Sequence, residues 1–148
     1  VVQLASALDE AHKLGIVHRD LKPANVMLRG GRVPVLTDFG IARELTASQT
    51  RITAENMIVG TPIYMSPEQV SGGEVDGRSD LYSLGIMFYE LLIGRPPYQG
   101  DTPIAVCMQH LTADLPRLPA DFADLQPVLD RMLAKRRDER FANMAEFN

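Results

Sequence analysis

The chain has 148 residues, 45% of them apolar and 23% charged, enough for one folded domain with a core of its own. Its 15 basic and 19 acidic residues leave a formal charge of −4, which argues against nucleic acid or an anionic membrane surface as the main partner. A single cysteine, Cys107, excludes an internal disulfide and fits a reducing, cytoplasmic setting, and no apolar run approaches the ~20 residues that span a bilayer.

Val1 to Leu14 places Val1, Leu4, Ala5, Leu8, Ala11 and His12 on one face at three- and four-residue steps, which predicts a helix stopped at Gly15. Pro23 forbids a regular helix through the next stretch. Val26-Met27-Leu28 reads as a short buried strand and Val33 to Leu36 as a second, joined by the turn Arg29-Gly30-Gly31-Arg32. Pro34 puts the second strand at an edge or bends it. Arg43 to Asn56 is polar and aperiodic, a long loop of the kind that carries function. Thr61 to Pro67 reads as irregular. Arg78-Ser79-Asp80 is expected to cap an apolar helix from Leu81 to Ile93, ended by Gly94. Thr102 to Leu111 is a short helix, and Phe122 to Ala134 and Arg140 onward supply the rest. The expected class is α+β, mostly α-helical, with one small hairpin. The start at Val1 inside an amphipathic pattern reads as a piece of a longer protein, with any membrane anchor outside it.

Chemistry concentrates in Val17–Leu28, VHRDLKPANVML, where five polar side chains precede an apolar strand. Asn25 and Asp38 are hard oxygen donors suited to Mg²⁺, which completes its shell with phosphate oxygens. Lys22 is a point charge for a phosphate. Asp20 can accept the proton of an attacking hydroxyl. Two bland readings stand beside these. Cys107 and His110, one helical turn apart, are two lone ligands and read as a core-facing pair rather than a zinc site. The charge run Lys135 to Arg140 reads as a solvated connection with only Arg140 buried.

His18-Arg19-Asp20-Leu21-Lys22-Pro23-Ala24-Asn25 resembles the catalytic loop of eukaryotic-type protein kinases, Asp38-Phe39-Gly40 their metal-binding triplet, and Ser66-Pro67-Glu68 the end of their activation segment. Gly60 to Met65, Asp80 and Arg140 match further family positions in order, and the style is most similar to bacterial serine/threonine kinases. The resemblance implies the C-terminal lobe of a kinase catalytic domain over residues 1–148, with the hairpin carrying the catalytic and metal-binding loops. It implies a catalytic base at Asp20, charge neutralisation by Lys22, a nucleotide site of Lys22, Ala24, Asn25, Met27 and Asp38, and Mg²⁺ or Mn²⁺ held by Asn25 and Asp38. His18 and Phe39 would be internal struts, and Asp80 would bond the backbone near His18. Glu68 and Arg140 would form a buried pair whose loss of one partner costs about 3–5 kcal/mol.

The same resemblance makes Asp38 to Glu68 the activation segment. Arg19 and Arg43 would await a phosphate there, on Thr53 first and on Thr50 or Ser48 next. Thr61 would bond the base and its lysine, marking serine/threonine preference. The implied partners are ATP, proteins bearing Ser or Thr, and a second kinase copy for autophosphorylation in trans. The chain holds no Gly-rich phosphate loop, strand lysine or partner glutamate, so the fragment alone is expected to be nearly inactive. Two other readings compete. A pseudokinase or interaction scaffold has no physical need for Asp20, Lys22, Asn25 and Asp38 together. A small-molecule phosphotransferase would lack the Gly60–Glu68 platform.

Overall fold

The computed structural model describes residues 1–39 and 62–147. Expectations that concern Gly40, Arg43, Ser48, Thr50, Thr53, Glu55 and Thr61 lie outside the described residues. The described part is mostly helical with one two-stranded antiparallel sheet.

Helix α1, Val2–Lys13, buries Leu4, Ala5 and Leu8 along one stripe. It ends as its sequence predicts. Gly15 takes φ 76°, the Gly15 N–H donates to the His12 carbonyl and the Ile16 N–H to the Ala11 carbonyl. This is the Schellman pattern, which satisfies carbonyls the helix end would leave open. A 3₁₀ turn, Pro23–Asn25, then leads into β1, Val26–Arg29, paired with β2, Val33–Leu36. The register sets Val26 opposite Leu36 and Leu28 opposite Pro34. The expected burial of β1 fails. Val26 and Leu36 reach the core, but Met27 and Leu28 are each 62% exposed. Consecutive strand residues face opposite sides, so Met27 and Leu28 are exposed on both faces, and past Val26 no described element covers either.

Pro62–Tyr64 is a 3₁₀ turn and Pro67–Ser71 is a helix, α2, so the stretch read as irregular is ordered. Pro67 is no obstacle, because a proline in the first helical turn lacks only an N–H that would go unused. Helix α3, Gly77–Ile93, begins four residues before the expected start. Asp76 is its cap, accepting the Arg78 N–H at 2.9 Å, which leaves the Asp80 side chain for another task. Every residue from Ser79 to Met87 is buried, so α3 is the central helix. Helix α4, Pro103–Thr112, starts at Thr102, whose hydroxyl accepts the Ala105 N–H. The last long helix is shorter than expected. Ala120–Leu125 is 3₁₀ and kinked at Phe122, and α5 spans only Gln126–Met132, with Pro127 in its first turn. Arg140 is extended, and α6 is Met144–Phe147.

Two apolar clusters flank α3. Leu4, Leu8 and Leu21 join Leu81, Leu84, Met87, Met132 and Met144 in the first. Tyr82, Ile86, Tyr98, Val106, Leu129 and Leu133 form the second. Gly85 lets α5 approach: a Cβ there would stand 2.9 Å from atoms of Leu133 and Met132.

Candidate active site

Arg19 and Asp38 take left-handed backbone, at φ 63° and 55°. For a side chain such as arginine this costs on the order of 1–3 kcal/mol and persists only where the surroundings enforce it. At Arg19 they do. Buried Asp80 accepts the His18 N–H at 2.8 Å and the Arg19 N–H at 2.9 Å, one on each carboxylate oxygen. His12 of α1 adds a third contact, Nε2 to Oδ2 at 2.8 Å. On the far side, Gln69 Nε2 donates to the Arg19 carbonyl at 2.7 Å. Both backbone groups of Arg19 are therefore clamped, and the turn that presents Asp20 is held. Gly77 completes the clamp, since a Cβ there would meet His12 Nδ1 at 2.6 Å.

Asp20 leaves this turn with its carboxylate about three-tenths exposed. Lys22 Nζ donates to its Oδ2 at 2.8 Å. Buried Asn25 donates from Nδ2 to the Asp20 carbonyl at 2.8 Å and to Oδ2 at 3.3 Å. These bonds put the amide nitrogen on the Asp20 side and make Oδ1 the atom a cation can use. Asp38 is exposed and follows directly on a tethered residue. The Thr37 N–H and hydroxyl both donate to the Asn25 carbonyl, at 3.0 and 3.3 Å. The hairpin register thus brings the second carboxylate to the loop of the first. His18 is the strut between them. Its Nδ1 accepts the Asp20 N–H at 3.4 Å, its Nε2 donates to the Thr37 carbonyl at 3.1 Å, and its ring lies 4.8 Å from that of Phe39.

The wall opposite is built from Pro62–Tyr64 and α2. Ser66 and Gln69 form a reciprocal capping box, the Ser66 hydroxyl taking the Gln69 N–H and the Gln69 side chain the Ser66 N–H. The Tyr64 hydroxyl donates to Glu90 at 2.7 Å, and the Ser83 hydroxyl donates to the Tyr64 carbonyl at 2.6 Å. Tyr64, Met65 and Gln69 face Arg19, Asp20 and Lys22 across a recess of about 20 Å³. Below it, Arg140 binds Glu68 with two parallel bonds of 2.8 Å, and Ser79 adds a hydroxyl at 2.5 Å. Burial drives the Glu68 carboxyl upward, but the guanidinium and the hydroxyl outweigh it and hold the group below the usual carboxylate range.

The structure places His18 against Phe39, Asp80 on the backbone of His18 and Arg19, and Glu68 against Arg140. Cys107 and His110 do face the core, where His110 Nδ1 meets the Tyr82 hydroxyl at 2.9 Å. Among residues 135–140 only Arg140 is buried. Sequence reading missed His12, Gln69 and Ser79. His12 was visible on the inward face of α1, but its partner lies 68 residues away. Gln69 carried the signal of a capping box three residues after Ser66, though nothing local announced its reach to Arg19.

A carboxylate held by a lysine and an asparagine, with a second carboxylate tied to the same loop, is what phosphoryl transfer requires: positioning and compensation of charge. Residues 1–147 match the family model described as protein kinase domain, and the chain belongs to that family. It is 43% identical to "Serine/threonine-protein kinase PknB" of Mycolicibacterium smegmatis over 150 residues, covering 99% of this chain and 24% of that protein. It is 48% identical to "Probable serine/threonine-protein kinase SCO3848" of Streptomyces coelicolor over 136 residues, with 90% and 20% covered. A PknB named as probable, from Bifidobacterium longum, is 43% identical, with 96% and 21% covered. The chain thus spans about a quarter or less of the length of these bacterial relatives. As a family, protein kinases use ATP with a divalent cation and act on proteins. No described helix is long and apolar enough to cross a membrane.

Proposed function

We propose that this chain is the C-terminal lobe of a bacterial serine/threonine protein kinase that transfers the γ-phosphate of ATP to protein Ser or Thr hydroxyls. The observation that carries the reading is the bonding around Asp20. Its carboxylate sits at the recess edge, its carbonyl is held by Asn25, the N–H of the preceding Arg19 is held by Asp80, and a lysine stands 2.8 Å from Oδ2. Asp20 orients the acceptor hydroxyl and takes its proton. Lys22 moves from carboxylate to phosphate as negative charge builds on the transferred group. Asn25 and Asp38 fit a small hard cation, because both offer oxygen and neither is committed elsewhere through that atom in the described contacts. They would hold Mg²⁺ or Mn²⁺, which neutralises phosphate charge when bound. Met27, exposed on the hairpin, floors the adenine, and Lys22 and Ala24 border the phosphates.

The acceptor peptide lies along Pro62–Glu68, with Thr61 beside the base. Phosphorylation of Thr53, ahead of Thr50 and Ser48, orders the activation segment through Arg19 and Arg43, in trans from a second kinase copy. The nucleotide needs a second lobe above Met27, so the 148-residue chain alone turns over poorly.

The test is Asp20→Asn in the full-length kinase, with an acceptor peptide and ATP. The expected result is a fall in kcat of about a thousandfold with ATP affinity retained. Undiminished turnover would remove the kinase reading of this site.

A further inference from the structure

His110 on α4 has no role in the chemistry above, yet it is one of the most deeply placed polar residues in the chain. Its relative exposure is 0%. Its Nδ1 meets the Tyr82 hydroxyl at 2.9 Å, and Tyr98 stands edge-on at 5.0 Å between ring centroids. With Tyr82 donating to Nδ1, the ring proton resides on Nε2. That atom is also buried and has no partner in full hydrogen-bond geometry among the described residues. The backbone of Ile63 and Pro62 lies near the ring and favours its protonated form, though less strongly than burial opposes it.

Packing alone would not select this side chain. A buried nitrogen without a complete bond is costly, and an apolar ring of similar volume would avoid the cost. The place also matters. Ile63 and Tyr64 pack on the cluster that contains Tyr82 and Val106, so His110 stands where α3, α4 and the Pro62–Tyr64 turn converge. One residue beyond that turn, Met65 lines the recess beside Asp20.

We propose that His110 is a positioning residue for the phosphoacceptor: bonded to Tyr82 and facing Pro62–Ile63, it sets the placement of the peptide platform relative to Asp20. The proposal rests on the reading of Pro62–Glu68 as that platform. The ring works as a neutral bridge. Burial, and then the nearby charge of Lys135, drive its pKa down to about 4, so throughout the neutral range Nδ1 accepts from Tyr82 while Nε2 carries the single ring proton. Lys135 is held in place by the Tyr98 hydroxyl at 3.0 Å and the Gln109 carbonyl at 3.2 Å.

The test compares the full-length kinase with His110→Phe, Tyr82→Phe and His110→Asn, whose side-chain oxygen can replace Nδ1. Peptide KM is expected to rise about tenfold in both Phe variants with ATP KM unchanged, and to recover in the Asn variant. Hydrogen exchange at Ile63 to Met65 provides a reading independent of turnover. It is expected to quicken about tenfold in His110→Phe, to recover in His110→Asn, and to leave α1 unchanged. If peptide KM, ATP KM, kcat and melting temperature all shift together, or if exchange at Ile63 to Met65 does not move, the proposal is overturned. If the wild type phosphorylates no peptide at all, the kinase reading fails, and the exchange measurement still decides this one.

Discussion

Asp80 is a buried carboxylate in the first turn of α3 and Glu68 a largely buried one on α2 bonded to that same turn, and they solve the problem of burial in opposite ways. Glu68 is met by a full opposite charge, the Arg140 guanidinium, plus the Ser79 hydroxyl. Asp80 is met by two backbone N–H groups of a strained loop and by His12. The first arrangement ties α2 to the extended segment before α6 across 72 residues of chain. The second ties the backbone of Arg19 into a conformation it would not choose. A buried charge can therefore spend its bonding capacity on stability or on geometry, and this chain does one of each.

Arg140→Ala is the most severe way to break the comparison. It strands Glu68 without its counter-charge and is expected to cost about 3–5 kcal/mol in denaturant unfolding, with near-normal turnover from the molecules that remain folded. A similar loss in Arg140→Met would still fit, since methionine also abandons Glu68. The paired change Arg140→Met with Glu68→Leu should recover most of it.

Acid also acts on a buried group of another kind. His110 is pushed down to about 4, first by burial and then by the charge of Lys135. Its unfolded form binds a proton from about pH 6.5 downward, whereas the folded form does not until about pH 4. Stability is thus fully present above pH 6.5 and falls as pH drops through that window, by on the order of 3 kcal/mol. Denaturation midpoints measured from pH 7 to pH 4 should show this slope, and His110→Asn should flatten it. Glu68 behaves differently at lower pH. Its folded pKa lies below the ordinary value, so its contribution is lost only as pH falls through that lower folded value.

Asp80→Asn keeps the shape but replaces one acceptor oxygen by a donor. At least one of the N–H groups of His12, His18 and Arg19 is left facing another donor, for about 2–3 kcal/mol. The informative readout is the ratio of effects: kcat should fall by more than this stability loss explains, because Arg19 relaxes and Asp20 moves. Equal effects on folding and turnover would erase the distinction between the two carboxylates. Ser79→Ala is the mildest probe. It removes one bond to Glu68 and leaves both arginine bonds, at about 1.5 kcal/mol, with no change in kcat.

Much of this was readable along the chain because it is local. The α1 stripe and its Gly15 stop, the Gly94 end of α3, the Thr102 start of α4 and the spacing from Asp20 to Asn25 depend on residues within a few positions of each other. The expected buried strand failed for a different reason. Met27 and Leu28 are apolar, and apolar character cannot say whether a neighbouring element exists to cover it. The early start of α3 failed by competition. Asp76 and Asp80 are both chemically fit to cap, and the cap reading set aside what the resemblance implied, that Asp80 bonds the backbone near His18, where the fold places it.

By itself the sequence determined the family motifs, because these are residue types at set spacings, and through the resemblance they carry it gave the expectation that Glu68 pairs with Arg140. Tertiary structure alone decided that His12 joins Asp80 and Gln69 reaches Arg19, so that one strained residue is held from both sides, and that His110 packs where α3, α4 and the Pro62–Tyr64 turn meet. The contacts of His12 with Asp80 and of Gln69 with Arg19 span 68 and 50 residues. No local propensity encodes such distances; they emerge when the buried faces of α1, α2 and α3 pack, and packing is set by the whole core at once.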